Sequence, residues 1–111
     1  VLQIIGRASC TQTRKVIRFC KERSIPHQFV DLKQRELSLG EWQNIFESVD
    51  EELLIDTSSP YYKKEGYAYR VYDIPEELQE HPELLVTPIL RYKRRVVVGF
   101  DQEFILQVSE K

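Results

Sequence analysis

Only two cysteines, two histidines and four glycines occur in the 111 residues of this chain, and each scarcity excludes a class of protein. Two cysteines cannot build a disulfide framework, and such sparing use points to a reducing, cytoplasmic compartment. His27 and His81 stand at no metal-ligand spacing from each other or from the cysteines, so no metal site is expected. The four glycines are scattered, and no phosphate-cradling loop can be assembled from them. Long apolar runs are missing too. Val96-Val97-Val98-Gly99-Phe100 falls far short of the roughly 20 residues that cross a bilayer, and no signal peptide is expected at the start. Excess positive charge is absent, since the formal net charge is -2, which disfavours nucleic-acid binding through bulk charge. No repeat, linker, low-complexity run or Ser/His/Asp order is visible.

What is present suits one soluble domain over residues 1–111, with 41% apolar and 31% charged residues. Val1 to Ile5 reads as a buried strand ended by Gly6. From Thr11 the pattern turns helical, with Val16, Phe19 and Cys20 on one face, until Ser24-Ile25-Pro26 stops it. His27 to Leu32 is a second strand. Ser38-Leu39-Gly40-Glu41 is a capping-box signature opening a helix whose Trp42, Ile45, Phe46 and Val49 share a face. Leu53-Leu54-Ile55 has no decided state. Ser59-Pro60 and Asp73-Ile74-Pro75-Glu76 start two more helices, the first ended by Gly66 and the second broken near His81-Pro82. Strands at Pro88 to Tyr92 and Arg95 to Val98 flank a Lys93-Arg94 turn, and Phe100 to Val108 closes the chain as a helix. The order β-α-β, helical middle (about 35–85), β-β-α demands a parallel pair and an antiparallel hairpin. That is an α/β, thioredoxin-like plan: a mixed four-stranded sheet with an inserted helical subdomain.

Cys10 stands immediately before the first helix, where unpaired N–H groups and the helix dipole favour a thiolate. Arg14 one turn on and Arg7 three residues earlier offer positive charge, and Thr13 offers a hydroxyl. The alternative is that Cys10 merely packs, as free cysteine often does. Cys20 reads as core filling. Ten residues of helix put it about 15 Å from Cys10, beyond the reach of a disulfide. Exchange at Cys10 therefore needs an outside thiol, such as glutathione or a partner's cysteine. Arg91, Lys93, Arg94 and Arg95 read as a charged turn, with an anion site as the alternative. Tyr61, Tyr62, Tyr67, Tyr69 and Tyr72 read as half-buried body residues or a partner surface.

Ile4-Ile5-Gly6-Arg7-Ala8-Ser9-Cys10-Thr11-Gln12-Thr13-Arg14-Lys15 resembles the strand-loop-helix opening of the arsenate reductase (ArsC)/Spx family. Phe29-Val30-Asp31-Leu32, Tyr62-Lys63-Lys64-Glu65-Gly66 and the run from His81 to Leu90 resemble its later segments, in order and over nearly the whole chain. The resemblance implies the thioredoxin-like fold with a helical insertion, and it makes Thr87-Pro88 a candidate cis peptide beside the cysteine. It also implies roles: Cys10 as nucleophile, Thr13 and Arg14 as stabilisers of its thiolate, and Arg7, Thr87 and Pro88 as the ligand groove. Two hallmarks are missing. The three arginines that hold arsenate in such reductases correspond to Asp56 or a neighbour, Thr87 and about Gly99, so arsenate reduction is not expected. The Cys-x-x-Cys switch of Spx-type regulators corresponds to Cys10 and Thr13. The expected activity is that of a small cytoplasmic, monomeric, one-cysteine thiol oxidoreductase linked to glutathione, with no bound cofactor. The alternative is a non-enzymatic regulator contacting RNA polymerase.

Overall fold

In the computed structural model, which describes residues 1–109, the chain opens with β1 (Leu2–Gly6), α1 (Thr11–Glu22) and β2 (His27–Asp31). β1 and β2 pair in parallel, Leu2 opposite His27 through Gly6 opposite Asp31. α1 ends as the sequence predicts, and the reason is visible. Ser24 takes a φ of 55°, its N–H meets the Lys21 carbonyl, and Ile25 N–H returns to the Cys20 carbonyl at 2.8 Å. This left-handed cap satisfies the last carbonyls of the helix before Pro26 begins the approach to β2.

The middle holds α2 (Leu39–Ser48), α3 (Pro60–Lys64) and α4 (Ile74–Glu80), with 3₁₀ turns at Glu51–Leu53, Tyr67–Tyr69 and Pro82–Leu84. Ser38 and Glu41 form the predicted capping box of α2, each side chain meeting the other's backbone N–H. Ser59 and Asp73 cap α3 and α4 through their side-chain oxygens. The undecided Leu53-Leu54-Ile55 stretch finishes a turn and bridges to the chain beyond α4, Ile55 pairing with Leu85. β3 (Ile89–Tyr92), β4 (Arg95–Val98) and α5 (Gln102–Ser109) follow. Several boundaries move from their predicted places: β1 runs from Leu2 through Gly6 instead of from Val1 to Ile5, and β2 ends at Asp31 instead of Leu32. β3 begins at Ile89 because Pro88 has no N–H for the ladder. α5 begins at Gln102 because Asp101 caps it, accepting the Phe104 N–H at 3.0 Å.

The sheet order is β2-β1-β3-β4, with β3 antiparallel to both β1 and β4. Side chains alternate across it, and this alternation builds two cores. Leu2, Ile4 and Leu90 meet Val16, Phe19 and Cys20 of α1 and Phe104, Ile105 and Val108 of α5. Ile5, Val30, Ile89 and Val96 on the other face meet the middle through Trp42, Ile45, Leu54, Tyr67, Leu78, Leu84 and Leu85. Among the described residues no helix is long and apolar enough to cross a membrane, and no three His, Cys, Asp or Glu gather as metal ligands.

The predicted basic cluster does not act as one group. Arg91 turns under α2, where it bonds Asn44 Oδ1 (2.7 Å) and Gln3 Oε1 (2.5 Å). Arg94 pairs with Glu47 at 3.2 Å, and Arg95 bonds Gln107 and lies over the Phe104 ring. Glu41 completes the network with Arg35 at 2.8 Å, and that guanidinium holds its carboxyl down at about 2. A folded-state value below the ordinary one means stability that is present above about pH 4.5 and is lost as pH falls through about 2. Glu41→Gln keeps the capping geometry and deletes the charge. Its melting temperature should lie below the parent's at pH 7, by an amount equivalent to about 2 kcal/mol, and the two should converge near pH 2. A constant gap across that range would refute the assignment.

Candidate functional site

Cys10 is the N-cap of α1, with extended backbone angles (φ −83°, ψ 121°), and its half-exposed sulfur sits where the first turn leaves N–H groups unpaired. Burial pushes the thiol up. Against it act the Thr13 and Thr87 hydroxyls and the backbone N–H groups of Thr13 and Gln12, and their sum holds the thiol below its ordinary value. As a thiol, Cys10 Sγ donates to the Thr87 carbonyl at 3.6 Å. Thr87 precedes Pro88 across a cis peptide, as the resemblance implies, and the Cys10–Thr87 contact sets the start of β3 against the tip of α1.

Thr13 is fully buried, and its hydroxyl oxygen has no hydrogen-bond partner in the structure. The hydroxyl is one of the groups that lower the Cys10 thiol, so a thiolate there is an acceptor toward which its hydrogen can turn. Thr13 fits there only because Gly6 lacks a side chain: a Cβ on Gly6 would lie 2.4 Å from Thr13 Oγ1 and 2.8 Å from its Cγ2. Thr13→Val removes the orphan hydroxyl and keeps the shape. We expect stability higher by about 1 kcal/mol and Cys10 alkylation at neutral pH slower by about tenfold. A variant that reacts as fast as the parent would remove Thr13 from the site.

Arg7 leaves the end of β1 and crosses to the segment before β3. It donates to the carbonyls of Pro82 and Leu85 and, at 3.3 Å, to Thr87 Oγ1. Thr87 Oγ1 thereby accepts from a cation while its own hydrogen stays free for the sulfur, so the charge of Arg7 reaches Cys10 through one hydroxyl. Burial pulls the guanidinium down, and Cys10, Asp56 and Glu83 oppose it. Arg14 is placed differently from its predicted role. It is exposed and bonds Ala8 O at 3.0 Å and Thr11 Oγ1 at 3.5 Å, so it ties the loop together instead of meeting the sulfur. Cys20 lies fully buried among α1 and α5 residues, and burial pushes its thiol up.

The residues that sequence reasoning missed are Gly6 and the carbonyls of Pro82 and Leu85. Gly6 reads in sequence as the end of a strand, and backbone acceptors leave no mark in a sequence. A cleft of about 580 Å³ lies on one side of Arg7, lined by Leu32, Lys33, Glu80 and Glu83 among others, and a smaller one of about 330 Å³ lies by Asp56, Ser59 and Tyr61. Cys10 lines neither, so they flank the reacting sulfur through Arg7.

The ArsC family model matches residues 6–108. The chain belongs to the ArsC family. The chain is also 31% identical over 109 residues to global transcriptional regulator Spx 2 of Oceanobacillus iheyensis, covering 90% of this chain and 78% of that protein. The solved YffB protein superimposes with a TM-score of 0.84 over 98% of this chain and 99% of that one, at 15% identity. An ArsC-family-related protein from Bacteroides fragilis gives 0.82 over 96% of each, at 18% identity. These structures share the ArsC fold, a mixed sheet of thioredoxin type with helices on both faces.

Proposed function

We propose that this ArsC-family protein carries out thiol–disulfide exchange with one cysteine, linked to glutathione in a reducing, cytoplasmic setting, and that it works as a monomer. The observation that carries the reading is the Cys10 thiol, which is held low, half-exposed and ringed by hydroxyl and amide donors. The Cys10 thiolate attacks one sulfur of glutathione disulfide. A Cys10–glutathione disulfide forms, and the second glutathione leaves as a thiolate with the electron pair of the broken bond. An outside thiol must reverse the step, because Cys20 lies in the core and Thr13 stands where a resolving cysteine would be. Arg7 orients Thr87, and the Thr87–Pro88 segment forms the wall against which the ligand rests.

Glutathione disulfide should add one glutathione to the native protein, at Cys10 and not at Cys20, and Cys10→Ser should add none, as read by intact mass and peptide mapping. Labelling that appears only after unfolding would end the reading. Arsenate turnover is not expected. By the resemblance, Asp56 or a neighbour, Thr87 and about Gly99 correspond to the anion-binding arginines, and Arg91, Arg94 and Arg95 are engaged elsewhere. The similarity to an Spx regulator favours a second reading, a transcription regulator that contacts RNA polymerase. Binding to purified polymerase that persists in Cys10→Ser would favour it.

A further inference from the structure

Charge in this protein is segregated. Residues 7–23 hold six of the sixteen lysines and arginines and one of the eighteen aspartates and glutamates, whereas residues 35–85 hold four and thirteen. The basic residues of α1 and its cap, Arg14, Lys15, Arg18, Lys21 and Arg23, are all exposed, and none forms an ion pair among the described residues. Elsewhere Arg35, Arg91 and Arg94 each have a carboxylate. Arg14, Arg18 and Lys21 recur at helical spacing along one side of α1, where like charges repel and the fold gains nothing from their alignment. Between them lies a groove of about 320 Å³, lined also by half-buried Ile17 and by Glu22, the one carboxylate against three cations. This stripe begins one turn from Cys10 and runs about 10 Å along the helix.

We propose that Cys10 serves protein disulfides whose cysteine lies within about five residues of aspartate or glutamate, and that these acidic side chains dock on the Arg14–Arg18–Lys21 stripe of α1. The inference rests on the exchange reading above and names its substrate class. An extended segment advances about 3.3 Å per residue and the helix about 1.5 Å, so a cysteine at Cys10 places the fourth residue beyond it over Arg18 and the fifth over Lys21. The chemistry is the same displacement: Cys10 Sγ bonds to the segment's sulfur, and the other half of that disulfide leaves as a thiolate with the electron pair. An acidic protein segment fits better than a nucleic acid, because the thirteen acidic residues of the middle repel a long polyanion while a short segment spans only the stripe.

The test uses two peptides of equal length, each with one cysteine in a mixed disulfide with thionitrobenzoate. One carries two glutamates four and five residues after the cysteine, and the other carries two lysines there. Release of the coloured thiolate reads the rate. The acidic peptide should react at least tenfold faster in dilute buffer, and the ratio should approach one near 1 M salt. Arg18→Glu/Lys21→Glu should invert the ratio, Arg18→Gln/Lys21→Gln should level it, and neither should alter the rate with neutral hydroxyethyl disulfide. Equal rates for the two peptides, with neutral disulfide still reacting at Cys10, would overturn the docking inference and leave the exchange reading intact. A serine version of the acidic peptide, followed by fluorescence anisotropy, reads docking without chemistry. It should bind the parent and lose binding in the glutamate double variant; failure to bind would overturn docking even if Cys10 is inert. Tighter binding of an oligonucleotide of comparable charge would also overturn it. So would self-association that the same reversals abolish, which would show the stripe to be the seat of a second copy.

Discussion

Replacing Arg7 with methionine should lower stability by about 3 kcal/mol and slow Cys10 at the same time. The guanidinium satisfies the Pro82 and Leu85 carbonyls with charge-assisted hydrogen bonds, in a place where a methionine stem would leave them without donors. Asp56 and Glu83, which face Arg7, would also lose their cation. The effect on reactivity follows from Thr87. Without Arg7 donating to it, Thr87 Oγ1 is free to turn away, and the sulfur loses one of the hydroxyls that hold it low. Arg7→Lys separates charge from geometry, because an ammonium cannot reach three acceptors with a planar fork. It should fall between the parent and Arg7→Met in both urea unfolding and alkylation rate at neutral pH. An Arg7→Met protein with unchanged stability and unchanged rate would mean that Arg7 is incidental to the site.

Gly6→Ala should cost about 1–3 kcal/mol, a large penalty for one methyl group. The new carbon meets Thr13 Oγ1 at 2.4 Å, well inside contact distance, and the obstacle is a buried β-branched side chain on α1 that has no room to swing. α1 must then lift from β1 or Thr13 must leave its rotamer, and either change takes a hydroxyl from Cys10. Slower alkylation should therefore accompany the lower stability. Thr13→Ala in the Gly6→Ala background removes the obstacle and should recover most of the lost stability, so the two substitutions should be strongly non-additive. An additive pair, or a Gly6→Ala protein as stable and as reactive as the parent, would contradict this account.

Much of the fold could be read from local signals because local chemistry decides it. Ser38 with Glu41, Ser59 with Pro60, and Asp73 with Pro75 mark helix starts that the structure keeps, and Pro26 and Gly66 mark stops. The alternation of Leu2, Ile4 and Ile5 about Gln3 assigns the two faces of β1. Cys10 and Thr13 could be found because a cysteine before a helix and a hydroxyl three residues later are close neighbours in any α1. The role of Arg7 could not be found in this way. Its partners lie 75 to 80 residues away and two of them are carbonyls, so only the antiparallel pairing of β3 with β1 brings them within reach. Arg14 shows the opposite error. Nearness in sequence suggested a contact with the sulfur, but the nearer acceptor is Ala8 O, and the side chain takes it.

Cys10 caps α1, which packs in one core, whereas Leu84 and Leu85, on the approach to Thr87, belong to the other. The sulfur thus rests at a seam between the layers on the two faces of the sheet, and its contact with Thr87 crosses that seam. Any loosening of the helical middle would release Leu85 and Thr87 first and leave α1 in place, so the thiol would return toward the behaviour of an ordinary cysteine while most of the protein stayed folded. In that sense the nucleophile reports on the integrity of a layer to which it does not belong, and a disulfide-bound ligand resting on both sides of the seam would act as a clasp between them.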